Sequence, residues 1–253
     1  MELLLPTALG VGGATVIGAV LGFLFKNPSH RFNDITLSFA AGVMLAAAVI
    51  GLVLPSLEYA EGGLGLLVTI VGIFLGAVCL NLIDKLVPHL HKLKGEGEEA
   101  HPETTERLNK ILLFVIAIAI HNLPEGIAAG VSAGAGNTAE AIAVAAGIAL
   151  QNVPEGMVII APMIAVGIGK GKTFCIALMT GLVEVLGTLI GYLSVSVSMA
   201  VLPFALAFAG GTMLYVISDE MIPETHAHGN ERAATYALLV GFCLMLVFEH
   251  FLG

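Results

Sequence analysis

The stretch HNLPEG at residues 121–126 recurs as QNVPEG at residues 151–156, and each copy lies inside a long apolar run. Both copies begin with an imidazole or an amide and continue with asparagine, proline and glutamate at the same spacing. Apolar runs of about 20 residues are typical of helices that cross a membrane. A polar motif repeated inside two such runs therefore raises the first question about the fold and the function.

The composition around the two motifs is typical of an integral membrane protein. Of the 253 residues, 57% are hydrophobic and 11% are charged, whereas soluble domains carry about 25% charged residues. The apolar runs predict an all-α fold with eight spans in a lipid bilayer: 3–25, 35–57, 64–86, 111–132, 141–168, 173–199, 202–223 and 233–252. They leave no room for a soluble domain, so we expect one transmembrane domain over residues 1–253. The net charge of −9 gives no indication of nucleic-acid binding.

The basic residues predict the orientation in the membrane. All ten lie at the end of spans 1, 3, 5 and 7 or in the segments that follow them: Lys26, Arg31, Lys85, Lys92, Lys94, Arg107, Lys110, Lys170, Lys172 and Arg232. Positive residues favour the cytoplasmic side, so we expect both termini outside the cytoplasm, most naturally at the plasma (inner) membrane. The segment 87–110, rich in histidine and glutamate, is then a cytoplasmic loop. Its composition suits a solvated linker or a loosely held metal ion.

The two motif copies predict an inverted repeat. His121 and Gln151 are 30 residues apart in spans joined by a short loop, so the two helices run antiparallel. In transporters, such repeats meet at a substrate site near the bilayer midplane. His121, Gln151 and Glu184 each lie about 15–17 Å into a hydrocarbon core of about 30 Å, at 1.5 Å per residue.

Three carboxylates are predicted at this depth, on Glu125, Glu155 and Glu184. One acidic residue at the centre of a spanning helix costs about 2.5–3.5 kcal/mol. No lysine or arginine lies in the core of any span, so a salt bridge to either is excluded. Protons and metal cations remain as the groups that could offset the buried charge.

The residue types around the glutamates favour a metal ion. In each copy the first residue and the glutamate are four apart and share a helix face, and the asparagine lies beside that face. The residues are His121, Asn122 and Glu125 in one copy, and Gln151, Asn152 and Glu155 in the other. Pro124 and Pro154 are expected to kink the helices and loosen a carbonyl. Oxygen and imidazole ligands suit zinc, iron(II), manganese or cadmium.

The cysteines are not expected to take part in this site. Cys79, Cys175 and Cys243 lie in three separate spans, without CxxC spacing. Cysteines of this kind are more often small, buried apolar residues than members of a disulfide or a thiolate site. We therefore expect all three to be buried in the bundle.

At these residues the chain resembles a known family. HNLPEGIAAG in span 4 and QNVPEG in span 5 are similar to the signature helices of the ZIP (Zrt/Irt-like) metal transporters, particularly the GufA-like subgroup. The resemblance covers essentially the whole chain. It implies transport of divalent metal ions, zinc first, towards the cytoplasm, with the ion as substrate and no catalytic cofactor. Members of that family often form homodimers, so a homodimer is also to be expected.

The resemblance further implies a midmembrane centre for one or two metal ions. The first ion would be held by His121, Glu125, Gln151 and Glu155. The second would be held by Asn122, Asn152 and Glu184, sharing Glu125 and Glu155. A neutral amide at position 152 weakens the second position.

Further polar residues are predicted to mark the path of the ion. Those expected at the outer side are Glu58, Glu249 and His250; those at the cytoplasmic side are Asp34, Asp84, Asp219, Glu220 and Glu224. Each position is equally consistent with a solvated helix end. The stretch SDEMIPETH in span 7 also resembles the family, which favours a pathway role for Asp219 and Glu220.

Two other functions would use the same central residues. An intramembrane di-metal hydrolase shares the carboxylate and histidine ligands, although the chain has no HExxH and the inverted repeat favours access from two sides. A proton-coupled carrier of an organic solute would use the glutamates as proton relays. A hydrolysis assay tests the first alternative, and metal bound to the purified protein tests the second.

Overall fold

The computed structural model describes residues 3–24, 29–59, 62–86, 119–165 and 167–252, and none of these residues lies in a strand. Within these ranges the eight longest helices follow one another: α1 Leu4–Gly22, α2 His30–Ala48, α3 Gly62–Leu86, α4 residues 119–134, α5 Thr138–Ala165, α6 Lys170–Val197, α7 Leu202–Val216 and α8 Glu231–Leu252. The predicted all-α fold with eight spans is confirmed.

The helices have the length and hydropathy that a membrane requires. Within the described ranges, seven of them are long and apolar enough to cross a bilayer. The eighth, α4, is described from residue 119 onward. The loop predicted at 87–110 and the first part of span 4 lie outside the described residues. The chain is an integral, multi-pass membrane protein.

Two helices change type part-way along their length. Each passes through a π-helical segment and then continues as α-helix: Val49–Val53 then Leu54–Tyr59 after α2, and Ile217–Met221 then Ile222–Thr225 after α7. Pro55 and Pro223 stand just beyond the two π segments. A proline ring displaces the carbonyl four residues earlier, and that carbonyl lies inside the wider π turn in both cases. The π segments therefore accommodate these two prolines.

The prolines of the repeated motif act differently. α5 is α-helical without interruption through Pro154 and Pro162. Residues 119–134 are likewise helical through Pro124. The changes of helix type thus occur at prolines that the sequence analysis did not single out, and the kinks at Pro124 and Pro154 stay a prediction.

Small residues allow the helices to approach closely. α1 packs against α5 and α6, α2 against α8 and α5, and α3 against α7. α4 packs against α6, where a methyl group on Gly130 would overlap the carbonyl oxygen of Thr188, and one on Gly191 would overlap that of Ile127. Contacts through small residues are typical of helices in membranes. They bring α1, α4, α5 and α6 together around the repeated motif.

The prediction of buried cysteines was wrong for two of the three. Cys175 and Cys243 are exposed, and Cys79 is partly buried. The outer surface of a membrane-spanning bundle is itself apolar, as the exposed Leu64 and Phe74 of α3 illustrate. An apolar residue type inside a span therefore does not show which way the side chain faces.

Candidate metal centre

Three neighbouring helices carry the seven predicted ligands. α4 carries His121, Asn122 and Glu125, α5 carries Gln151, Asn152 and Glu155, and α6 carries Glu184. Six of the seven are buried, and the most exposed of these six is Glu155 at 6%. His121 is partly buried. The polar groups are therefore buried among the helices, and their depth in the bilayer stays a prediction.

One contact joins the two copies of the motif directly. The amide Nε2 of Gln151 donates a hydrogen bond of 2.8 Å to Oε1 of Glu125. The first residue of one copy thus holds the glutamate of the other, across the α4–α5 interface. Because the amide is neutral, the contact orients the carboxylate without neutralising its charge.

The histidine of the motif is oriented by a residue outside the predicted set. Nε2 of His121 lies 2.7 Å from Oε1 of Glu220, which is in the π-helical segment after α7. With the imidazole N–H donating to this carboxylate, Nδ1 of His121 keeps its lone pair for another ligand. The sequence predicts a position on the path of the ion for Glu220, but no local pattern pairs this residue with His121.

A second cluster forms around Glu184. Nδ2 of Asn152 donates a short hydrogen bond to Oε1 of Glu184 and a bond of 3.1 Å to the carbonyl oxygen of Val11. The hydroxyl of Thr15 donates to Oε2 of Glu184 at 3.1 Å. Both oxygens of this carboxylate therefore have a neutral donor. Val11 and Thr15 belong to α1, which the sequence analysis did not connect with the site.

Asn122 does not reach Glu184 through its amide nitrogen. Its Nδ2 donates to the carbonyl oxygen of Thr180, at 3.2 Å. This bond ties α4 to the backbone of α6 one turn before Glu184. The amide nitrogen is thereby occupied, and the side-chain oxygen is left for other contacts.

Four buried acceptor oxygens of the predicted ligands have no hydrogen-bond partner in the described part of the chain. They are Oδ1 of Asn122, Oε2 of Glu125, Oε1 of Gln151 and Oδ1 of Asn152. A buried acceptor without a donor costs about 1–3 kcal/mol. All four are electron-pair donors, so a cation would satisfy them where a further acceptor would not. The chemistry of this donor set fits a divalent ion with oxygen ligands.

The carboxylates and the imidazole are not gathered around one point. Among the residues that the structure describes, no three His, Cys, Asp or Glu side chains are placed to hold a metal ion together. Gln151 and Asn152 instead stand beside Glu125 and Glu184 as hydrogen-bond donors. An ion at the centre would thus exchange amide–carboxylate bonds for bonds to itself.

The polar residues predicted at the cytoplasmic side have different partners. Asp34 is buried and accepts hydrogen bonds from Nδ1 of His228, at 3.0 Å, and from Nδ2 of Asn230, at 2.8 Å. It therefore fastens the turn between α7 and α8 to the start of α2. The side chain of Asp84 lies outside the described residues.

Comparison with known proteins agrees with this architecture. The family described as "ZIP Zinc transporter" matches residues 94–249. The chain is 41% identical to zinc transporter GufA of Myxococcus xanthus, over 98% of both chains. It is 38% identical to zinc transporter ZIPB of Bordetella bronchiseptica, over 95% of this chain and 78% of the relative. It is 33% identical to zinc transporter ZupT of Chlorobaculum parvum, over 93% of this chain and 92% of the relative.

Proposed function

The chain belongs to the ZIP zinc transporter family, and on this premise we propose that it transports zinc and similar divalent metal ions towards the cytoplasm. The ion is the substrate, and no catalytic cofactor takes part. The relatives of this chain are named as zinc transporters, which argues against an intramembrane hydrolase. The observation that best supports a cation as the substrate is the group of four buried acceptor oxygens that have no donor among the described residues.

The proposal assigns two ion positions to the predicted ligands. The first position uses His121, Glu125, Gln151 and Glu155, and the second uses Asn122, Asn152 and Glu184 with the same two glutamates. Nδ1 of His121 has a free lone pair when Nε2–H donates to Glu220. The first position therefore offers an imidazole nitrogen, which zinc prefers, whereas the second offers oxygen alone.

Amide side chains have a double role in this proposal. Without an ion, Gln151 and Asn152 use their N–H groups to hold the carboxylates of Glu125 and Glu184. With an ion, the amide oxygens become ligands, and the carboxylates turn from the amides to the ion. This exchange limits the desolvation cost of the empty centre, because each of these carboxylates keeps a donor. The inverted repeat would expose the centre to the two sides of the membrane in turn.

The orientation follows from the distribution of the basic residues. Both termini lie outside the cytoplasm, and the protein spans the plasma (inner) membrane. That it forms a homodimer stays a prediction. In a variant without native cysteines, Asn137→Cys in the turn before α5 should react with an impermeant thiol reagent applied to intact cells. Gly169→Cys, in the turn before α6, should react only after the membrane is opened. The reverse pattern would contradict this orientation.

Reconstitution in liposomes tests the proposed transport. We expect purified protein to bind zinc and to carry it across the bilayer with saturable kinetics, and the same assay with cadmium, manganese and iron(II) ranks the substrates. If the purified protein contains no bound metal and its vesicles take up no metal ions, the result would support the proton-coupled organic carrier instead. Metal-dependent hydrolysis without uptake would support the hydrolase.

A further inference from the structure

The first helix contributes to the centre through two residues one turn apart. The carbonyl oxygen of Val11 accepts from Asn152, and the hydroxyl of Thr15 donates to Glu184. Residues four apart lie on the same helix face. Thr15 is only 1% exposed, so its hydroxyl lies away from bulk solvent. One face of α1 therefore lies against the second ion position.

Helix contacts give Thr15 a defined place in the inverted repeat. A methyl group on Gly156 would overlap the carbonyl oxygen of Thr15, and one on Gly126 would overlap that of Glu184. Gly126 and Gly156 are the last residues of the two motif copies. Thr15 therefore occupies the same position in the packing of α1 against α5 as Glu184 occupies in the packing of α6 against α4.

The correspondence continues along both helices. Three residues after Thr15, Gly18 lies against the carbonyl of Val153, and three residues after Glu184, Gly187 lies against the carbonyl of Leu123. Val153 and Leu123 are the third residues of the two copies. The inverted repeat therefore includes α1 and α6, although their sequences do not show it.

Hydrogen bonding gives these two equivalent residues complementary roles. Glu184 supplies a carboxylate, and Thr15 supplies the donor that holds its Oε2, while Asn152 holds Oε1. A hydroxyl orients a carboxylate without cancelling its charge, so the carboxylate stays available to a cation. Without the Thr15 hydroxyl, Oε2 of Glu184 would be buried without a hydrogen-bond donor, and the Glu184 side chain would turn towards another donor.

We propose that Thr15 is a positioning residue for the second ion: its hydroxyl fixes the orientation of the Glu184 carboxylate and thereby sets the affinity of that position. This inference rests on the proposed function. It assigns no direct ligand role to Thr15. It predicts that the hydroxyl, rather than the size of the side chain, determines how tightly the second ion binds.

A calorimetric titration of the full chain with zinc, in detergent, tests the proposal. The parent should bind two zinc ions. Partners of ligands typically contribute 10–100-fold to metal affinity, so Thr15→Val and Thr15→Ala should weaken the second dissociation constant about 10–100-fold and change the first by no more than about twofold. Thr15→Ser keeps the hydroxyl and should restore the second constant. Two variants without the hydroxyl guard against misfolding of either one.

Thr188→Val is the matched control. The hydroxyl of Thr188 is also buried and also bonds to Glu184, but at its backbone carbonyl oxygen, at 3.0 Å. Both zinc constants of this control should equal those of the parent. The inference is overturned if Thr15→Val and Thr15→Ala bind the second ion as the parent does or more tightly, if both constants weaken equally, or if Thr15→Ser resembles Thr15→Val. A parent that binds one ion only also overturns it, while a parent that binds no zinc overturns the proposed function as well.

Discussion

The two copies of the repeated motif share their spacing but differ in their partners. The first residue of the α5 copy, Gln151, turns towards the other copy and holds Glu125. The first residue of the α4 copy, His121, pairs instead with Glu220, which follows α7. The α5 copy therefore organises the interior of the centre, whereas the α4 copy connects the centre to a helix outside the repeat.

The asparagines extend this difference. Asn152 binds the side chain of Glu184 and the backbone of α1, whereas Asn122 binds the backbone of α6 at Thr180. Identical spacing thus gives the two copies equivalent backbone positions. The helix that faces each copy then decides whether its side chain orients a ligand or fastens a neighbour. The comparison indicates that the repeat supplies the framework and that its surroundings supply the chemistry.

The largest expected effect tests whether the two glutamates are equivalent. Glu125→Ala and Glu155→Ala each remove a carboxylate that both ion positions share. We expect each variant to lose zinc uptake and to weaken zinc binding by at least about 100-fold, since losing a ligand costs no less than losing its partner. Zinc content per folded protein and uptake by liposomes measure both effects.

Glu231→Ala is the control for removal of one carboxylate. Glu231 is exposed at the start of α8, so we expect parental binding and uptake. If only one of Glu125→Ala and Glu155→Ala loses zinc, the two copies are unequal in ligation as well as in partners. If both variants bind and carry zinc as the parent does, the motif is not the site.

A smaller effect, on folding, tests the framework itself. Gly126 and Gly156 each lie against a backbone carbonyl of a neighbouring helix. Gly126→Ala and Gly156→Ala should therefore destabilise the protein by similar amounts, about 1–3 kcal/mol each. Thermal unfolding in detergent without zinc measures this. Gly13→Ala is the control, because a methyl group at position 13 would meet no atom of a neighbouring helix within 4 Å. Alanine is more favourable than glycine inside a helix by about 1 kcal/mol, so this variant should not lose stability. Unequal losses at 126 and 156 would argue against a repeat that includes α1 and α6.

The spans could be predicted from the sequence because they depend on local patterns. The candidate ligands follow from local patterns too, and their role stays a prediction. Hydropathy marks eight apolar runs, and the spacing of polar residues within a run fixes their depth and helix face. The contacts of Thr15 and Glu220 could not be predicted in this way, because they join residues that are far apart in the chain. Thr15 in a glycine-rich helix has no distinctive local pattern. The only signal in α1 is the spacing of small residues at Gly12, Gly18 and Gly22, which indicates close packing without naming the partner.

The smallest of the expected effects concerns the bond that distinguishes the α4 copy. Glu220→Gln keeps the size of the side chain and an acceptor oxygen for His121 but removes the charge. A carboxylate that accepts from an imidazole makes the ring a stronger metal ligand, so we expect zinc affinity at the first position to fall about tenfold. Calorimetric titration measures this against Asp219→Asn, which neutralises the neighbouring residue of the same π segment and should leave the constant unchanged. An equal loss in both variants would indicate a general effect of negative charge near α7. Parental affinity in Glu220→Gln would show that His121 binds the ion without help from α7, so that the two copies differ in contacts but not in function.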